Sequence, residues 1–338
     1  MLYNMNITRA STSNIVTTVK GYYINHVICF EFNILIMVSS TVLNTITVLA
    51  YWKSSQLRKK TSYFLIMLLS LSDLGTALGS SSIYSIILLR DMLGYESPSL
   101  SLALITLIFV FSGMSYSILC VLNIERYLGI VHPLFHRNHV NKPRVLKGII
   151  VLWFSNAIVG FITVLDPTVG KFVVGTTNCL NLTILIVVYV KIFLTGGRTV
   201  VGNTQQKAFL RKIKLAKSCL IVVVCCYVCF LPTALKQFLT HTRFVEIVLT
   251  SWTTILLFAN STLNSVIFFW RNQILRKEAK SILRQIFKTS QKCRVVKVCD
   301  RHMAKTEHLV VTSNCSIYFF KKCQVKNTNL VDMLLLCC

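Results

Sequence analysis

Seven apolar stretches run through this chain, near residues 27–52, 61–88, 99–128, 147–165, 178–196, 214–238 and 244–270. An α-helix needs about 20 apolar residues to cross a bilayer core of ~30 Å, and only a helix or a closed barrel satisfies its own backbone there. Each stretch reads as one crossing, so the expected fold class is an all-α membrane protein, a seven-transmembrane helix bundle. Composition agrees. Of 338 residues, 54% are hydrophobic and 14% charged, where a soluble domain carries about 25% charged residues. A soluble two-domain enzyme would expose too much apolar surface, and a disordered chain would be more polar.

After the seventh stretch, Arg271–Lys288 is basic, with Ile274, Leu275, Ile282, Leu283 and Ile286 at roughly helical spacing. That pattern reads as an amphipathic helix on the membrane surface. The expected organisation is an extracellular N-terminus (1–25), the bundle (26–270), the surface helix (271–288) and a flexible cytoplasmic tail (289–338). Residues 1–25 lack the apolar core and cleavage site of a signal peptide, so the first span is expected to insert itself.

Basic loops stay cytoplasmic. Segments 52–60, 126–147, 188–217 and 271–338 hold four, five, seven and fourteen Lys and Arg, thirty of the chain's 36. The N-terminus is therefore expected outside and the C-terminus inside, at the plasma membrane. The excess of +25 falls between apolar runs and not on a polar face, which argues against nucleic acid as partner. Glycosylation sequons at Asn6 and Asn181 fall on the outer side.

Polar groups that persist inside apolar helices carry the functional information. Asp73, in Leu71-Ser72-Asp73-Leu74, lies mid-span, where a carboxylate costs at least ~2.5–3.5 kcal/mol and must find partners inside the bundle. Asn44, Ser115, Asn260, Ser261 and Asn264 are the available partners. The set is either a hydrogen-bonded knot between helices or, as intramembrane acids usually are, a functional site. Glu125-Arg126-Tyr127 closes the third span at its inner end. Pro232 removes a backbone hydrogen bond from the sixth, which makes it a pivot or a static bend.

Taken in order, these residues resemble the rhodopsin-like (class A) G-protein-coupled receptors. The likeness runs through Leu43-Asn44, Leu71-Ser72-Asp73-Leu74, Glu125-Arg126-Tyr127 with Val131-His132-Pro133-Leu134, Trp153, Tyr189, Cys229-Phe230-Leu231-Pro232 and Asn260-Ser261-Thr262-Leu263-Asn264, over residues 26–288. It implies a receptor, not an enzyme, whose sixth span swings outward about Pro232 and frees Arg126 for a heterotrimeric G protein. Pro133 and Leu134 would join that contact, and Tyr189, Asn264 and Phe268 would take part in activation. It also implies a sodium pocket of Asn44, Asp73, Ser115, Asn260, Ser261 and Asn264, with sodium as an allosteric modulator and no other cofactor.

The chain departs from the family pattern in several places. The seventh-span Asn-Pro-x-x-Tyr appears as Asn264-Ser265-Val266-Ile267-Phe268, and Phe230 replaces a tryptophan. Lys212 stands where an acid often restrains the arginine, which implies raised basal signalling. Ser101 occupies the place of the outer third-span cysteine, leaving Cys179 without its usual partner, and the fifth span lacks its proline. The last two departures are shared with the melanocortin, cannabinoid, sphingolipid and adenosine receptors.

The family's ligand pocket maps to Ile108, Ser112, Phe230, Thr254 and Phe258. Ile108 stands where amine receptors place an acid, and the seventh span has no lysine for a retinal Schiff base. A small apolar ligand, a lipid or a peptide is therefore expected over a monoamine, and an opsin is excluded. The outer acids Glu31, Asp91, Glu96, Asp166 and Glu246 either attract a basic peptide or are solvated loop charges. His132, His136 and His139 read as loop histidines rather than a zinc site. Cys293 and Cys299 are either palmitoylated or free thiols, and Cys337 and Cys338 end the chain. The rival function is an ion or solute transporter with Asp73 as its ion site, though seven spans without paired broken helices speak against it.

Overall fold

The computed structural model describes residues 2–95, 98–196, 221, 224, 225, 228–232 and 243–285, with side chains from Lys20 onward and without those of a few positions such as Asn181 and Tyr189. Every element among them is helical. In chain order these are α1 (Leu2–Lys53), α2 (Ser55–Arg58), α3 (Thr61–Gly75), α4 (Ser82–Met92), α5 (Pro98–Leu107), α6 (Met114–Val131), α7 (Pro133–His139), α8 (Lys142–Leu165), α9 (Pro167–Gly196) and α10 (Arg243–Arg271). Wide π-turns over Thr76–Ser81 join α3 to α4, and others over Ile108–Gly113 join α5 to α6.

Five of these rods are long and apolar enough to cross a membrane: Lys20–Lys53, Thr61–Met92, Pro98–Gly129, Lys142–Leu165 and Glu246–Arg271. They coincide with the first, second, third, fourth and seventh expected spans. The fifth expected span falls inside α9, and most of 214–238 lies outside the described residues. The first helix differs from expectation. It begins at Leu2, well before residue 27; no proline precedes Pro98 to stop it, although the Asn, Thr, Ser and β-branched residues of 2–19 are weak helix formers.

Local chemistry sets the other ends. α4 closes in a Schellman turn, with Tyr95 N donating to Arg90 O at 2.9 Å and Gly94 N to Asp91 O at 3.1 Å. Gly94 takes φ +80° there, a conformation that disfavours any residue with a Cβ. Asn141 caps α8 by accepting from Arg144 N at 3.1 Å. Asp166 caps α9, accepting from Thr168 N and Val169 N at 2.9 and 3.1 Å ahead of Pro167 at the first helical position. One of the outer acids is thus a helix cap.

The α1 helix packs on α10, α3 and α4; α3 packs on α6; α6 in turn meets α8 and α9. The main core gathers Leu65, Ile66, Leu69, Ile118, Leu119, Leu122, Ile255 and Phe258 from the second, third and seventh spans, with Cys229 and Phe230. The α8 helix stands at the edge, presenting Val151, Phe154, Ile158 and Phe161 outward, as a lipid-facing helix would. A second cluster joins Ala50, Tyr51, Leu57 and Met67 to Leu275 and Ile282. Residues 273–282 are helical, and the apolar face expected to lie on the membrane is in part turned onto the bundle.

Candidate functional site

Within α3, Leu71 points outward while Ser72 and Asp73 are buried, because the helical period puts them on the face toward α6 and α10. Asp73 is fully enclosed. Ser115 Oγ donates to its Oδ1 at 2.7 Å and Asn264 Nδ2 to its Oδ2 at 3.4 Å, with Ser261 a third neighbour. Three spans therefore converge on one carboxylate. Asn264 Oδ1, also buried, has no hydrogen-bond partner among the described residues. The residues expected around Asp73 are thus largely brought together.

Asn44 stands one layer away. Its Nδ2 donates to Ser40 O at 2.9 Å, Ser40 Oγ at 3.1 Å and Ser261 O at 3.5 Å. Its Oδ1 accepts from Ser265 Oγ at 2.6 Å. Ser265, which occupies the position of the family's proline, thus ties α10 to α1, a role that sequence reading missed. A serine among buried apolar neighbours was the available signal. Ser265→Ala is expected to lower stability by about 1 kcal/mol, typical of an interhelical hydrogen bond in a membrane protein. Thermal unfolding of the purified variant checks this, and an unchanged or higher midpoint contradicts it. Asn260 is buried one turn before Asn264.

The second and third spans are joined at their π-turns. Ser72 Oγ donates to Phe111 O at 2.7 Å, and Thr76 Oγ1 lies 3.3 Å from Ser112 Oγ. The hydroxyl of Ser112, one of the expected pocket residues, is thus engaged, and Thr254 Oγ1 donates to Thr250 O at 2.8 Å. Phe230 stacks on Tyr116 with centroids 4.3 Å apart, and Phe258 meets Tyr84 edge-on at 5.8 Å. Ile108 packs against this cluster. Ile108, Phe230 and Phe258 thus belong to one apolar core, and the hydroxyls of Ser112 and Thr254 are both engaged in hydrogen bonds.

Toward the C-terminal end of α6, Glu125 is buried and Arg126 only partly so. Ser62 Oγ donates to Glu125 Oε1 at 2.8 Å, and His136 Nε2 lies 3.0 Å from the same oxygen. Facing a carboxylate, that nitrogen carries the hydrogen. Arg126 Nε is 3.7 Å from Oε2, which has no hydrogen-bond partner among the described residues. Tyr127 meets His132 edge-on at 5.8 Å. Pro133 opens α7, and Leu134 and Phe135 are exposed on it. His136, read from sequence as a loop histidine, is the second residue that sequence reasoning missed, and a bare histidine in a basic segment gave no signal for it.

Phe268 packs against both apolar clusters, and Pro232 lies in helical backbone. Trp153 faces outward beside Phe154. Cys29 and Cys179 are free thiols. Asn6 and Asn181 lie on helical backbone in α1 and α9, and their side chains are outside the described residues, as is that of Tyr189. Lys212, Cys293, Cys299, Cys337 and Cys338 also lie outside them.

Residues 43–181 match the family model of the 7 transmembrane receptor (rhodopsin family). That stretch contains Asn44, Asp73, Ser115 and Glu125-Arg126-Tyr127. Over that stretch the chain is similar to this family of membrane receptors, and five helices among the described residues are long and apolar enough to cross a membrane. No curated protein compared with the chain matches it.

Proposed function

We propose that the chain is a seven-span G-protein-coupled receptor of the plasma membrane, with its N-terminus outside and its C-terminus inside. An extracellular ligand shifts the population toward a state in which the sixth span swings outward about Pro232 and Arg126 meets a heterotrimeric G protein. For this the ligand must bind that state better than the resting one. The observation that carries the reading is the partly exposed Arg126 at the end of α6, whose buried neighbour Glu125 approaches it no closer than 3.7 Å. At that distance Glu125 holds the guanidinium only loosely. Pro133 and Leu134 of α7 complete the contact surface.

The apolar core around Phe230 and Phe258, the isoleucine at 108 and the absence of lysine from α10 favour a small apolar ligand, a lipid or a peptide over a monoamine, and leave no place for retinal. Sodium fits the buried carboxylate. The enclosed Asp73, the Ser115 hydroxyl and Asn264 Oδ1, which has no hydrogen-bond partner among the described residues, are hard oxygen donors of the kind such a cation takes. Bound there, sodium supplies a positive charge that compensates the carboxylate. Asp73→Asn is expected to remove the effect of sodium on agonist affinity, as measured by radioligand competition in sodium and in a bulky organic cation. Unchanged sodium dependence contradicts the assignment.

The test of the whole reading is a screen of lipids, peptides and amines on cells expressing the chain, with Arg126→Ala alongside. A ligand whose G-protein response vanishes in that variant supports it. A response that persists in Arg126→Ala counts against it.

A further inference from the structure

His26 of α1 is enclosed, at 2% exposure, and an acceptor faces each of its ring nitrogens. Nδ1 lies 2.8 Å from Tyr22 O, the carbonyl one turn earlier. Facing a carbonyl, that nitrogen carries the hydrogen. Nε2 is turned to α4, where Asp91 Oδ2 stands 3.8 Å away. A neutral ring with its hydrogen on Nδ1 therefore aims a lone pair at a carboxylate. Only the imidazolium offers a hydrogen to both acceptors. The side chain of Asp91 is 31% exposed, which gives a proton a path to the covered ring.

We propose that His26 is a proton-binding site: once protonated, it draws Asp91 into a charge-assisted hydrogen bond and clasps α1 to α4. In the orientation proposed above, this end of the bundle faces the cell exterior, so the proton comes from the medium; that part rests on the receptor reading. The other groups at this end leave the pairing to Asp91. On α1, Tyr22 stacks on the imidazole with centroids 4.2 Å apart, Cys29 is a buried free thiol, and Lys20 and Glu31 are exposed. On α4, Arg90 lies over the Tyr95 ring at 5.8 Å, and the Tyr84 hydroxyl donates to Ser251 O at 3.3 Å. Arg243 and Glu246 open α10, and Glu246 is exposed.

The clasp reaches further than the two residues that close it. Asn25, next to His26, accepts from Trp252 Nε1 of α10 at 3.0 Å. Tyr84 of α4 meets Phe258 of α10 edge-on at 5.8 Å. Drawing α1 onto α4 is thereby felt on α10, at one of the residues expected to line the ligand pocket.

Histidine changes charge between about pH 5 and 8, while a carboxylate is ionised throughout that range. The contribution of the clasp is therefore present on the acid side and lost as the pH rises. The test is thermal unfolding of the full chain, purified in detergent, at about pH 5.5 and about pH 8. Asp91→Asn keeps the shape and removes the charge. It is expected to lower the midpoint by about 3 °C at the acid pH, the scale of one hydrogen bond between charged groups, and by little at the alkaline one. His26→Gln and His26→Phe, which take up no proton, are expected to show the same extra loss in acid, whatever each costs at the alkaline pH. Combined with Asp91→Asn, either should show that extra loss once. Losses equal at both pH values overturn the proposal, and so does an extra acid loss that doubles in the combined variants. The same comparison on intact cells, whose interior stays near neutral, reads the side of the membrane. A difference that follows the pH of the medium supports an exterior site. One seen in detergent but indifferent to the medium leaves the clasp standing and contradicts the proposed orientation.

Discussion

Arg126→Ala is expected to bring G-protein nucleotide exchange down to the rate without receptor, while the protein folds about as well as before. Alanine removes a permanent charge and all five guanidinium donors, so nothing remains at the end of α6 to meet the carbonyls or carboxylates of a partner. Folding survives because Glu125 does not depend on Arg126. Its Oε1 keeps both Ser62 and His136, and the substitution removes only a long approach of 3.7 Å to Oε2. An ion pair of that length beside a partly exposed arginine contributes about 1 kcal/mol or less. Exchange assays on purified receptor and G protein, run beside thermal unfolding, separate the two effects. Wild-type exchange in Arg126→Ala removes the arginine from the mechanism, and a collapsed unfolding midpoint makes its role structural.

Gly75→Ala is expected to be among the most destabilising single-methyl changes in the bundle. A Cβ at that position would lie 2.2 Å from Phe111 Cδ1, 2.4 Å from Cε1 and 2.7 Å from Cγ, distances no real carbon atoms keep. The ring cannot simply back away with its helix, since Phe111 O accepts the Ser72 hydroxyl at 2.7 Å, and one turn later Gly79 faces the same ring. Overpacking of this kind costs about 1–3 kcal/mol. Thermal unfolding of Gly75→Ala, Phe111→Leu and the double variant provides the check. The double variant should lose less than the two single losses together, because the clash exists only when both groups are present. Simple additivity contradicts the clash.

The long apolar spans were legible because a bilayer imposes a length on each helix that composition alone reveals. The surroundings of Asp73 were legible for a related reason: polar side chains inside apolar runs have nowhere to go but toward one another. What escaped reading depends on how helices are rotated against each other. The Ser265–Asn44 and His136–Glu125 pairs and the Phe111 ring on Gly75 follow from rotation angles that hydrophobic spacing does not fix. The π-turns at Thr76–Ser81 and Ile108–Gly113 leave no compositional trace either. Two local features escaped for simpler reasons. The polar residues before Lys20 carry no apolar stripe, so nothing marked them as helical. Asp166 reads as an outer charge until Asp-Pro-Thr at a helix start is seen as a capping pattern.

On the proposed mechanism, a rod bearing Pro232 moves away from Arg126 when the receptor engages its G protein. Fluorescent unnatural amino acids at position 137, on exposed α7, and at position 217, near the start of the expected sixth span, leave the native cysteines in place. The distance between them, measured in lipid nanodiscs with and without nucleotide-free G protein, tests that movement. A longer distance in the complex, abolished by Arg126→Ala, is the expected result. A distance that stays the same while the G protein exchanges its nucleotide contradicts the mechanism.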